Sequence, residues 1–125
     1  MKAFLIDVVA REVREIDVQT RFDVYNQIGN GCSLYEVPLE LETGDAVLTD
    51  EESLFHEIHG GWKMDEFNFP LVGNAVVVGS SEETDYADVQ ISKEMLEKMI
   101  IWCDVRECEE HRDIALSTPP RFYTW

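Results

Sequence analysis

Positive charge is scarce in this sequence. Ten Lys and Arg stand against 26 Asp and Glu, for a formal net charge of −16. Binding nucleic acid through its phosphates needs a basic surface, and so does docking on an anionic membrane. Neither direct nucleic-acid binding nor membrane binding is therefore expected. Long apolar runs are lacking too. None approaches the roughly 20 residues of a spanning helix, and Arg11 interrupts the apolar start too early for a signal peptide. A cytoplasmic protein is expected. Cysteine is sparse, and its number is odd: Cys32, Cys103 and Cys108 have no framework spacing, so reduced thiols are expected. Cys103 and Cys108 lie five apart in an expected helix, about 140° apart around its axis, and do not meet there. Repeats, low-complexity tracts and linkers are also missing. The expected organisation is one acidic domain over 1–116 and an aromatic tail over 117–125.

What is there suffices for a core. Hydrophobic residues make up 45% of 125 residues and charged ones 29%, a globular profile rather than a disordered one. Alternating apolar residues predict strands over 2–9 and 11–18, an opening hairpin. Thr20 caps an expected helix over 21–28, with Phe22, Tyr25 and Ile28 inward and Gly29-Asn30-Gly31 as its stop. A strand over 33–41 contains Pro38, which points to an edge or a bulge. Thr43-Gly44-Asp45 is a turn into a short strand over 46–48. Thr49 and Glu52 have capping-box spacing and predict a helix to about His59, with Leu54, Phe55 and Ile58 inward. Residues 62–69 read as a loop or weak strand, 75–78 as a central strand, and 80–88 as an acidic loop. Ser92 caps a last helix whose stripe is Met95, Leu96, Met99, Ile100 and Cys103, continuing exposed towards Asp113. The expected class is α+β: a mostly antiparallel sheet with two or three helices packed on one face.

Three blocks carry a resemblance: Lys2-Ala3-Phe4-Leu5-Ile6-Asp7, Leu48-Thr49-Asp50-Glu51-Glu52, and Pro70-Leu71-Val72-Gly73-Asn74-Ala75-Val76-Val77-Val78-Gly79. In this order they resemble an uncharacterised family of small proteins of bacteria, phages and mobile elements, a domain of unknown function. The likeness spans residues 2–101. Residues 54–69 and the tail after Cys103 depart from the family's pattern. The resemblance implies a mobile-element context and supplies no catalytic residues.

Among side chains that carry chemistry, Glu52, His56 and His59 stand out. On a helix they project within about 60° of one another. A carboxylate and two imidazoles so placed are candidate ligands for zinc or another divalent cation, although the spacing is not that of a zinc protease. Cys108 and His111 are candidates for half of a zinc site. Nucleophilic catalysis has little support: Ser80-Ser81 lacks the elbow motif, and acids around Cys108 disfavour its thiolate. An enzyme is the less expected outcome, and no resident cofactor is expected.

The charge is unevenly spread. Residues 22–92 hold fifteen acids and one base, Lys63, so nearly all of the excess lies in the middle of the chain. Buried apolar residues there leave the acids facing outward. The expected reading is a negative face that steers onto a basic partner. Its members are Glu36, Glu40, Glu42, Asp45, Asp50, Glu51, Asp65, Glu66, Glu82, Glu83, Asp85 and Asp88, with Trp62 and Phe67 as anchors. The expected function is an acidic protein-binding module of phage or mobile-element origin. It would block a basic nucleic-acid-binding surface of a host defence protein, in the manner of a nucleic-acid mimic. Two alternatives stand beside it: a metal-binding protein or metal-dependent enzyme using Glu52, His56 and His59, and a small-ligand-binding or oligomeric structural protein.

Overall fold

A computed structural model describes residues 1–65, 69–80 and 86–117. Strands β1 (Lys2–Asp7) and β2 (Glu12–Asp17) form a hairpin in register from Lys2↔Asp17 to Asp7↔Glu12. Asp7 organises its turn. One oxygen accepts the amides of Val9 and Ala10, each at 3.0 Å, and the other pairs with Arg14 at 2.7 Å. Burial alone would raise the Asp7 pKa, but these hydrogen bonds together hold it below the usual carboxylate value.

Strands β3 (Tyr35–Glu40) and β4 (Ala46–Asp50) form a second hairpin, as the Thr43-Gly44-Asp45 turn signal suggests. A later strand inserts between the two hairpins. Taking short strands β5 (Gly61–Lys63) and β6 (Leu71–Val72) first in chain order, this strand is β7 (Ala75–Val78). It pairs antiparallel with both β1 and β4, giving the order β2-β1-β7-β4-β3.

The central strands are apolar at nearly every position, so both faces of this sheet must be covered. Phe4, Ile6, Val47 and Val77 point to one face; Ala3, Leu5, Leu48, Val76 and Val78 point to the other. Helix α1 (Arg21–Ile28) covers the second face through Val24 and Ile28. Helix α2 (Lys93–Met99) covers the first through Leu96. The class is α+β with antiparallel sheets, as expected, but these two helices lie on opposite faces rather than on one.

A smaller sheet has the order β6-β5-β8, where β8 is Ile101–Cys103. It leads into α3 (Val105–Ser117), whose start is capped by Asp104, a carboxylate accepting the Glu107 amide at 2.8 Å. Ile58, Val72, Cys103 and Cys108 fill a third apolar cluster. A Cβ on Gly61 would lie 2.6 Å from both the Cys108 sulfur and the Leu71 carbonyl oxygen, so glycine permits this close approach. Among the described residues no helix is long and apolar enough to cross a membrane.

Three expected elements differ. The helix over 49–59 does not form. Thr49 is instead a sheet residue between Glu36 and Ala75, and only a 3-10 turn follows, at Ser53–Phe55. Phe55, expected inside, is 72% exposed. The last helix is divided, because Ile101, Trp102 and Cys103 pair with β5. On α1, Val24 replaces Phe22 on the inner face, and Phe22 is exposed.

Candidate partner-binding surface

Strand β3 is an outer strand of the large sheet, and its pairing with β4 shifts register between Glu36 and Leu39. Pro38 sits in that irregularity, where its missing amide does no harm. The solvent side of this edge is acidic. Glu36 and Glu40 on β3, Glu42 in the following turn and Glu51 just past β4 are all exposed. Burial raises the Glu36 pKa, and the nearby charges of Glu51 and Asp50 raise it further. Like charges are thus concentrated at one end of the β3–β4 hairpin.

A cavity of about 160 Å³ adjoins that end. Glu36 and Glu51 line it together with Leu54, Phe69, Pro70 and His111. The His111 ring of α3 stacks on Phe69, with ring centroids 5.2 Å apart and planes 9° apart. Phe69 is about half exposed. The arrangement combines carboxylates with an apolar, aromatic wall. Such a surface can accept Lys or Arg head groups on its acids and their alkyl stems on its rings.

Several residues expected at the surface lie inside. Trp62 is fully buried in the main core and is no interface anchor. Its alternating neighbours place it on the inner side of β5, opposite Trp102 of β8. Asp45 is also fully buried. Its carboxylate accepts the amides of Gln90 at 2.9 Å and Ile91 at 2.8 Å and the Thr43 hydroxyl at 2.6 Å. Asp50 is buried as well, accepting the Glu52 amide at 2.9 Å and contacting His56 Nδ1 at 2.7 Å. These two acids are structural and do not steer. Asp65 is exposed; Asp88 is exposed but holds the Lys2 amide at 2.8 Å. Glu66, Phe67, Glu82, Glu83 and Asp85 lie outside the described residues.

The helix that would align Glu52, His56 and His59 is missing, and the three do not form a metal centre. His56 faces Asp50, with Glu52 4.0 Å from its other nitrogen, whereas His59 lies 3.9 Å from Glu57. Among the described residues no group of three or more His, Cys, Asp or Glu could hold a metal ion. Cys108 and His111 do not form half of a zinc site either, since the thiol is fully buried and the imidazole stacks on Phe69.

The thiols are poor nucleophiles. Burial pushes Cys103 up to about 12 and Cys108 up to about 11, with Glu107 adding to both. Cys32 rises to about 11 through burial and then the charge of Asp50. A carboxylate beside a thiol opposes the thiolate, which is the reverse of nucleophile activation.

Sequence reasoning placed Phe55 inside and did not single out Phe69 as an anchor, whereas both are exposed. Nothing in sequence brings His111 to Phe69. No protein-family model, no curated protein and no solved structure matches the chain.

Proposed function

We propose that the chain is an acidic protein-binding module, of phage or mobile-element origin, that acts in the cytoplasm. It covers a basic, nucleic-acid-binding surface of a host protein, one concerned with defence. The observation that carries this reading is the acidic edge itself. Glu36, Glu40, Glu42 and Glu51 are exposed around one outer strand, and Glu36 and Glu51 line a cavity walled by Phe69 and His111. Concentrated charge speeds encounter with an oppositely charged surface, and exposed aromatics supply contact area once docked. Phe69 takes the anchoring part that buried Trp62 cannot, and Phe55, exposed in the 3-10 turn that follows β4, adds apolar surface. Glu66, Glu82, Glu83 and Asp85, which lie outside the described residues, belong to the same negative segment by sequence.

The test is competition. A host protein retained by the wild-type chain at low salt is assayed for nucleic-acid binding with and without the chain. The proposal requires the chain to displace nucleic acid and E36Q/E40Q/E42Q/E51Q to fail. Retention that is equal for both forms, or a partner whose nucleic-acid binding is untouched, overturns it.

A further inference from the structure

A larger cavity, of about 470 Å³, lies at the other end of β3. Leu39 and Leu41 form one wall, and Ile91, Met95 and Met99 form the other. Glu40, Glu42 and Thr43, all exposed, complete the lining. Helix α2 turns Leu96 into the core, so Met95 and Met99, four residues apart, share a different side of the helix. Met95 is 54% exposed, and Leu39 and Met99 are half-buried. A soft, apolar floor under a pair of carboxylates is complementary to an apolar stripe flanked by cations. Methionine suits such a surface because its unbranched thioether adapts to the side chains that arrive.

The outer edge of β3 is a poor template for an added strand. Pro38 and the register shift between Glu36 and Leu39 break the ladder there. A partner must therefore engage through side chains. We infer that the groove between the β3–β4 turn and α2 receives a basic amphipathic helix of the partner protein. Apolar residues at i, i+3, i+4 and i+7 enter the groove, and flanking Lys or Arg meet Glu40 and Glu42. The inference rests on the reading of the chain as an acidic protein-binding module, and it names the partner element that docks.

The test uses a labelled synthetic Leu/Lys peptide with amphipathic helical spacing, and a scrambled peptide of the same composition. Binding to the full chain is read by fluorescence anisotropy, with M95E and E40K/E42K as variants. Both substitutions fall on exposed side chains, and unchanged melting checks their folds. The expected result is binding of the amphipathic peptide about tenfold tighter than the scrambled one. M95E removes that preference, and E40K/E42K weakens both peptides. Equal binding of the two peptides, or a preference that survives M95E, overturns the groove while leaving the acidic module standing. No binding of either polycation overturns both. Self-association that M95E abolishes makes a second copy the occupant and overturns the inference. Tighter peptide binding after removal of residues 118–125 makes the chain's own tail the occupant, with the same consequence.

Discussion

The Asp45 carboxylate accepts the Ile91 amide at 2.8 Å, joining the β3–β4 turn to a segment 46 residues later in the chain. The same side chain holds the Gln90 amide and the Thr43 hydroxyl, with no exposure to solvent. Replacing Asp45 by Ala leaves two backbone donors, that of Ile91 buried and that of Gln90 partly so, without this acceptor. Asp45→Ala is expected to destabilise the fold by about 3–5 kcal/mol. Glu42→Ala, three residues earlier and exposed, is expected to stay within about 0.5 kcal/mol of wild type. Chemical denaturation of both variants checks the contrast, and similar losses for the two would contradict it.

Glu36 sits where the proposed function and stability oppose each other. Burial, then Glu51 and Asp50, raises its pKa above the ordinary value of 4.5. The ionised form is therefore the disfavoured one in the fold. Its penalty is present above the folded pKa, shrinks as pH falls through that value, and is gone below 4.5, where the unfolded chain is protonated too. Because Glu36 is exposed, screening keeps the effect small. Glu36→Gln is expected to stabilise the protein by up to ~0.5 kcal/mol at neutral pH, and the gain is expected to vanish in acid. Urea titrations at the two pH values measure it. A loss of stability at neutral pH would contradict this account.

Trp62 fills the main core, and its indole N–H has no hydrogen-bond partner among the described residues. Trp62→Ala is expected to cost about 3–5 kcal/mol through the cavity it leaves. Trp62→Phe removes the unsatisfied donor along with some volume, so its cost is expected to be the smaller of the two. Thermal melts of both variants test the order.

Thiol chemistry gives an independent check on the packing. Cys103 and Cys108 are buried, with pKa values pushed up to about 12 and about 11. Both are expected to escape iodoacetamide at neutral pH until denaturant is added. Cys32, half-buried and raised to about 11, is expected to react slowly and faster as pH rises. Mass spectrometry of the alkylated chain reads all three sites. Rapid native labelling of Cys108 would contradict the burial of α3 against Gly61.

The parts of the fold legible in sequence are those where pattern and local signals agree. Lys2–Asp7, Glu12–Asp17 and Ala75–Val78 carry unambiguous strand patterns, and Ser92 caps α2 through the Met95 amide at 3.2 Å. Where signals compete, tertiary pairing decides. Thr49 has a capping-box partner at Glu52, yet its backbone completes a ladder between Glu36 and Ala75. Ile100 and Cys103 fit a helical stripe, yet Trp102 and its neighbours complete the sheet on Trp62. The acidic excess was legible, but not which acids would be used inside. Asp45 and Asp50 became acceptors for backbone amides because turns and strand ends expose donors that short carboxylates reach.

The central claim is that exposed acids along β3 and its flanks drive binding to a basic protein surface. Its most direct measurement is the salt dependence of affinity for a captured host partner, with wild type and E36Q/E40Q/E42Q/E51Q side by side. The expected result is a steep loss of wild-type affinity with rising salt, and a weaker, flatter response for the variant. Equal affinity and equal salt response for the two proteins would contradict the claim.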